Sequence, residues 1–143
     1  GGLDPIKTGM DALNCGFDTD CTCATAGAVI GIIRGAESLN RAYAWGDTRF
    51  VVLDCGEDKP DSDIRYYGLS TTDAYREQEA RWLKGVVESE EYRAAPLHIV
   101  VLHMIPGGKS SWHGEQEIRR LFVPILNEAS VDIMLCGHYH RYQ

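Results

Sequence analysis

The stretch VDIMLCGHYH, residues 131–140, places two histidines directly behind an apolar run that has the length of a buried strand. A second apolar run, residues 98–102, ends at His103. Continuous apolar runs are typical of strands buried in a parallel sheet, and ligands collect at the carboxyl ends of such strands. Because three of the chain's five histidines, His103, His138 and His140, follow these two runs, the pattern favours a metal site over isolated structural histidines.

Around these two runs the sequence predicts alternating strands and helices. Apolar periodicity and turn residues separate the elements. We expect a hairpin over 42–45 and 49–54 that turns at Gly46-Asp47, followed by a helix from Thr72 or Asp73, either of which can cap it, to about Ser89. A strand over 97–102 comes next, then a helix over about 115–129 that Pro124 bends or divides, and a final strand over 131–136. Strand–helix–strand order with continuous apolar strands predicts an α/β fold with a parallel component.

The first forty residues have a different character. Residues 1–23 are rich in Gly, Asp, Cys and Thr and are predicted to be mainly a loop, whereas a helical pattern runs from Thr22 or Ala24 to Leu39. Gly27, Gly31 and Gly35 recur on one face of that helix, and each costs roughly 1 kcal/mol of helix propensity relative to alanine. Such a helix needs another element packed against its glycine face.

Composition narrows the classes of function. The chain has 143 residues, 44% of them hydrophobic, which is enough for a domain with a core. A net charge of −7 without a Lys/Arg cluster argues against nucleic-acid binding. No run of about 18 apolar residues is present, so we expect no membrane span. No signal-peptide pattern is visible, which favours a cytoplasmic setting, although the missing Met start leaves a lost signal peptide open. Five cysteines without a Cys-x-x-Cys motif favour reduced thiols over a zinc knuckle.

The histidine-bearing segments resemble a known family. Leu102-His103-Met104 together with Gly137-His138-Tyr139-His140 looks like the last two metal motifs of calcineurin-like metallophosphoesterases, close to their purple-acid-phosphatase-like branch. The resemblance covers about residues 41–143 and implies part of that family's sandwich, an incomplete sheet flanked by helices. It implies that His103 and His138 bind one metal and His140 the other, with Zn, Fe, Mn or Ni as suitable ions. A phosphoester substrate, a small molecule or a phosphoprotein, would follow.

Two further residues bear on this hypothesis. His113, in the glycine-rich loop over 106–114, could approach a substrate phosphate, or be an ordinary exposed loop histidine. Asp54 ends a strand, and its place relative to the family motifs indicates a structural position. The family's earlier motifs, Asp-x-His, Gly-Asp-x-x-Asp and Gly-Asn-His, do not occur in this sequence. We therefore expect the chain alone to bind metal weakly and to have little or no phosphatase activity.

A second resemblance lies near the amino terminus. Gly16-Phe17-Asp18-Thr19-Asp20-Cys21 followed by the glycine-faced helix resembles the C-terminal metal motif of ADP-ribosylglycohydrolases, over about residues 9–39. In that family the motif contributes to a dinuclear magnesium site, which implies Asp18 and Asp20 as Mg²⁺ ligands here. Cys21 departs from the commoner hydroxyl residue. The alternative is that Asp20 caps the following helix.

These observations leave three hypotheses. The first is a metal-dependent phosphoesterase fragment over 41–143, preceded by an ADP-ribosylglycohydrolase-like tail over 1–40. The second is a non-catalytic α/β fragment that binds one metal or a partner chain and forms a homo-oligomer through an unpaired sheet edge. The third is a fragment related to ADP-ribosylglycohydrolases that uses Asp18 and Asp20.

Overall fold

The computed structural model describes residues 41–107 and 109–138. All of them belong to Arg41–Gln143, the second of two units into which backbone contacts divide the chain. The loop and glycine-faced helix predicted before residue 41 lie outside the described residues.

The described residues form a four-stranded sheet whose order follows the chain. The strands are β1 (Arg41–Trp45), β2 (Thr48–Val52), β3 (Leu97–Val101) and β4 (Ile133–Leu135). β1 and β2 form the predicted antiparallel hairpin, whereas β2 pairs with β3 and β3 with β4 in parallel. Gly46 in the hairpin turn has a φ of +58°, which glycine adopts without steric cost. The α/β class and its parallel component are confirmed.

Helices connect these strands, with boundaries close to those expected. A 3-10 turn at Ile64–Tyr66 precedes α1 (Thr72–Glu88) and α2 (Glu90–Ala94), and the second crossover holds α3 (His113–Leu121) and α4 (Val123–Glu128). Pro124 lies in the first turn of α4, where its missing N–H costs nothing, so it starts a new helix instead of bending one. The predicted helix over 115–129 is thus two helices, and it begins two residues earlier than expected.

The start of α1 corrects one sequence prediction. Neither Thr72 nor Asp73 caps this helix, and the N-cap residue Thr71 makes no side-chain capping bond. Instead Asp61, eleven residues upstream, accepts the backbone N–H of Thr72 at 2.8 Å and that of Asp73 at 3.1 Å. A carboxylate brought in by the long loop satisfies these donors, which local sequence spacing could not indicate.

The helices cover one face of the sheet. Val51 on β2 and Val100, its partner on β3, are almost completely buried. They belong to a core with Leu53, Cys55, Ala80, Leu83, Tyr92, Leu102, Met104, Ile118, Phe122, Leu126 and Ala129. On the last strand Ile133 and Leu135 remain 43% and 51% exposed. Within the described ranges, no helix combines the length and apolar character that crossing a bilayer requires.

Candidate metal centre

The carboxyl ends of β3 and β4 bring His103 and His138 side by side. Hydrogen bonds continue beyond both strands: Leu102 N–H donates to Leu135 O at 3.0 Å, and Gly137 N–H donates to His103 O at 2.9 Å. A β-carbon on Gly137 would lie 3.4 Å from His103 Nδ1, which is an ordinary van der Waals distance. Gly137 therefore lies directly beside the His103 ring at this edge.

The two imidazoles face each other through nitrogen atoms. His138 Nδ1 lies 3.2 Å from His103 Nε2, and the rings are nearly perpendicular, with an interplanar angle of 80°. Two nitrogen ligands at about 2.0–2.1 Å from one tetrahedral metal lie roughly 3.3 Å apart, so this separation fits a shared metal ion. The same distance also suits an N–H···N hydrogen bond. His138 has a φ of +74°, uncommon for a residue with a side chain and often found at functional positions.

Two side chains from the start of α3 lie next to His138. The Trp112 ring meets the His138 ring edge-on, with ring centroids 5.0 Å apart. Glu115, which is fully buried, places Oε1 3.9 Å from His138 Nε2. Its Oε2 lies 3.6 Å from a guanidinium nitrogen of Arg119. The nitrogen of His138 that faces away from His103 is therefore directed at a buried carboxylate.

His113 lies in a second cluster, with Asp73 and Arg76. Its Nε2 is 2.8 Å and 3.0 Å from the two Asp73 carboxylate oxygens, so Nε2–H donates to Asp73. Arg76, fully buried, donates to Asp73 Oδ1 at 2.8 Å and to the backbone oxygen of Cys55 at 2.9 Å. The ring of His113 is about one-third exposed. Asp73 thus orients the His113 ring by accepting the Nε2 proton.

Asp54 has a structural role at the end of β2. Its Oδ1 accepts the N–H of Gly56 at 2.9 Å, and its own N–H donates to Glu79 Oε1 at 2.7 Å. Gly56 has a φ of +60°, and a β-carbon there would collide with Thr72 Cγ2. Burial raises the pKa of the Glu79 carboxyl to about 8. This pair stabilises the turn after β2.

The cysteines of the described residues are free thiols. Cys55 is buried and Cys136 is exposed. Cys55 Sγ accepts the N–H of Met104 at 3.2 Å, and burial raises the pKa of its thiol to about 12. This thiol is therefore protonated at neutral pH and packs as a small apolar group.

His98 differs from the other histidines. It is 8% exposed and stacks on Tyr92, and its ring nitrogens lie 2.8 Å from Tyr92 O and 3.2 Å from Ser130 O. A cavity of about 580 Å³ lies beside it at the amino-terminal end of β3. Because His103 and His138 are at the opposite ends of their strands, we assign His98 to the structure and not to the metal centre.

Three of the expected ligands, His140, Asp18 and Asp20, are not among the residues that the structure describes. Within residues 41–107 and 109–138, no group of three or more His, Cys, Asp or Glu side chains is arranged to hold a metal ion. The described part of the centre is thus a pair of imidazoles. Sequence reasoning did not find Trp112, Glu115, Asp73 or Arg76, because nothing in their local spacing relates them to a histidine distant in the chain.

Comparison with known proteins gives one match. Residues 31–142 match the family described as calcineurin-like phosphoesterase, which covers most of the chain. No curated protein and no solved structure matches it. Members of this family typically bind divalent metals, in agreement with the nitrogen donors at the ends of β3 and β4. The chain therefore belongs to the calcineurin-like phosphoesterase family.

Proposed function

We propose that this chain carries part of a metal-dependent phosphoesterase centre, in which His103 and His138 bind one divalent transition metal and His140 binds a second. The observation that carries the proposal is the 3.2 Å separation between His103 Nε2 and His138 Nδ1. Neutral imidazole nitrogens suit Zn, Fe, Mn or Ni, and bind less well to hard ions such as Mg²⁺ or Ca²⁺.

Such metals, when bound, polarise a phosphoryl oxygen and activate water. The side chains of this chain bind the metal and contact the substrate. His103 and His138 supply neutral nitrogen donors, and His113 contacts a phosphoryl oxygen of the substrate, with its ring held by Asp73 at 2.8 Å. The substrate class we propose is a phosphoester, either a small molecule or a phosphoprotein.

The chain alone is proposed to bind metal weakly and to hydrolyse phosphoesters little. His103, His138 and His140 are neutral donors, and the sequence contains none of the Asp-x-His, Gly-Asp-x-x-Asp and Gly-Asn-His motifs. Two-metal sites use anionic bridging ligands to hold both ions and to lower the pKa of bound water. Three imidazoles provide no such bridge.

Metal analysis of the purified full chain, joined to a phosphatase assay, tests this function. We expect Zn²⁺ or Co²⁺ to bind the wild-type chain, His138→Ala to lose binding, and His113→Ala to retain it. Hydrolysis of p-nitrophenyl phosphate should stay near background in all three. Equal metal binding by wild type and His138→Ala would refute the metal centre. Robust hydrolysis that His138→Ala abolishes would refute the proposed inactivity.

The finer family assignments are also proposals. The purple-acid-phosphatase-like branch is supported by the Gly137-His138-Tyr139-His140 motif. The family match begins at residue 31 and so overlaps the end of the segment, about residues 9–39, that resembles ADP-ribosylglycohydrolases. The proposed Mg²⁺ site at Asp18 and Asp20 is tested by titrating Mg²⁺ into the wild type and into an Asp18→Asn, Asp20→Asn double variant. Identical titrations would favour the alternative in which Asp20 caps the following helix.

A second candidate function is partner binding through the sheet edge. In the part of the chain that the structure describes, β4 ends the sheet, and its residues Ile133, Met134 and Leu135 are 39–51% exposed. An apolar edge strand invites pairing with another chain, so we propose a homo-oligomer paired at β4. Sedimentation analysis should show a dimer that Met134→Lys dissociates. A monomer at all concentrations in the wild type would eliminate this candidate.

A further inference from the structure

A buried carboxylate lies behind the His138 ring. Glu115 is fully buried in the first turn of α3. Carboxylates are almost never fully buried unless they are paired, and ionised groups in the protein interior need charged or hydrogen-bonding partners. Arg119, at 3.6 Å, and His138, at 3.9 Å, lie near the carboxylate oxygens of Glu115.

The orientation of His138 places its two nitrogens in different surroundings. Nδ1 faces His103 Nε2 at 3.2 Å, and Nε2 faces Glu115 Oε1 at 3.9 Å. The second distance exceeds a hydrogen bond, so the attraction is electrostatic, and it is strengthened by the low polarity of the buried surroundings. A carboxylate at this position favours the tautomer with the proton on Nε2. That tautomer leaves the Nδ1 lone pair directed toward His103.

From this arrangement we infer that Glu115 is a positioning residue for the metal centre, which selects the His138 tautomer that can bind a metal through Nδ1. The inference rests on the proposed metal function of His103 and His138. Metal-binding histidines commonly donate their other ring N–H to a carboxylate or carbonyl, and loss of that partner typically costs about 10–100-fold in metal affinity.

Two neighbours keep this arrangement in place. Arg119 lies near the second oxygen of Glu115 and also donates to the backbone oxygen of Ser110 at 2.5 Å, which ties the loop before α3 to the helix. Trp112, in the same loop, contacts the His138 ring edge-on at 85°. The His138 ring is thus held between an aromatic side chain and a carboxylate, both positioned by the start of α3.

The test measures metal affinity of the full chain and not activity. Zn²⁺ or Co²⁺ is titrated into wild type, His138→Ala, Glu115→Gln and Glu115→Ala, with Glu117→Gln as the matched control. Glu117 lies on the same helix but pairs with Arg120 at 2.5 Å. We expect Glu115→Ala to weaken binding about 10–100-fold, Glu115→Gln to weaken it less because its amide oxygen keeps a partial negative charge toward Nε2, and Glu117→Gln to leave it unchanged. The Co²⁺ absorption spectrum should be lost in His138→Ala, shift in the Glu115 variants and stay unchanged in Glu117→Gln.

The possible outcomes distinguish a failure of the proposed Glu115 role from a failure of the proposed metal centre. If wild type binds metal, His138→Ala does not, and both Glu115 variants bind as tightly as wild type, the inference is wrong and the metal centre stands. If His138→Ala binds as tightly as wild type, the metal centre itself is refuted. Should Glu115→Ala fail to fold, as judged by circular dichroism, the near-isosteric Glu115→Gln decides, and unchanged affinity with an unchanged Co²⁺ spectrum refutes the inference.

Discussion

Replacing Glu79 by glutamine should make the chain more stable at alkaline pH and leave its stability at acidic pH nearly unchanged. Glu79 is fully buried on α1. Burial raises the pKa of its carboxyl from 4.5 to about 8, the negative charge of Asp54 adds to the increase, and the Asp54 N–H and Arg76 oppose it. At neutral pH the folded chain therefore keeps a proton that the unfolded chain has released.

The sign and size of the effect follow from this difference in proton binding. Between pH 4.5 and 8 the folded state binds the proton and the unfolded state does not, so the free energy of unfolding falls as pH rises. Each pKa unit corresponds to about 1.4 kcal/mol, which gives a loss on the order of 5 kcal/mol across the whole window. The glutamine amide resembles the protonated carboxyl and can still accept the Asp54 N–H, so Glu79→Gln avoids this loss.

Urea unfolding at several pH values from 5 to 9 measures the effect. The variant and wild type should differ little at pH 5, and the difference should grow in favour of Glu79→Gln until about pH 8. The control is Glu77→Gln on the same helix, because Glu77 is exposed and its contact with Arg120, at 3.7 Å, is a solvent-exposed ion pair. The change in the free energy of unfolding of this control should stay within about 0.5 kcal/mol at every pH. A difference between Glu79→Gln and wild type that does not change with pH would refute the reasoning.

Three further changes test the fold. Leu83→Ala removes a fully buried side chain and should lower the free energy of unfolding by about 3 kcal/mol in urea titration; a loss below about 1 kcal/mol would mean that the core is loosely packed. Asp61→Ala removes the acceptor of the Thr72 N–H and should cost about 1 kcal/mol, with faster amide exchange at Thr72; unchanged exchange would contradict this capping. Gly114→Ala would put a β-carbon 2.7 Å from Glu57 O and should cost about 1–3 kcal/mol, measured as a lower Tm; an equal Tm would contradict the close approach.

Sequence patterns predicted those strands and turns that are determined by residues adjacent in the chain. The apolar run before His103 predicted a buried parallel strand, and the turn at Gly46 predicted the hairpin. The run before Gly137 forms the expected parallel strand, but its predicted burial is wrong, because Ile133, Met134 and Leu135 remain 39–51% exposed. The proximity of His103 and His138 followed from the rule that parallel strands end at one edge. Their metal role stays a prediction.

Other features depend on contacts between distant segments and could not be read locally. Asp61 caps α1 from across a loop, and Glu79 and Glu115 are buried, although charged residues on a helix normally indicate its exposed face. Their burial depends on how α1 and α3 lie against the strand ends. The start of α3 at His113 was also missed, because its N-cap Trp112 makes no side-chain capping bond.

The hydrogen bonds that continue past β3 and β4 have a consequence for how this segment tolerates change. Gly137 N–H is held by His103 O at 2.9 Å, so the histidine pair depends on one alignment of the two chain segments. Inserting a single residue between Leu135 and His138 would turn successive side chains to opposite faces and separate the imidazoles. Length changes in the loop before α3 carry no such penalty from strand pairing. Changes in length should therefore be rejected between β4 and His138, and in that loop they should be tolerated only where Ser110 and Trp112 keep their contacts with Arg119 and His138.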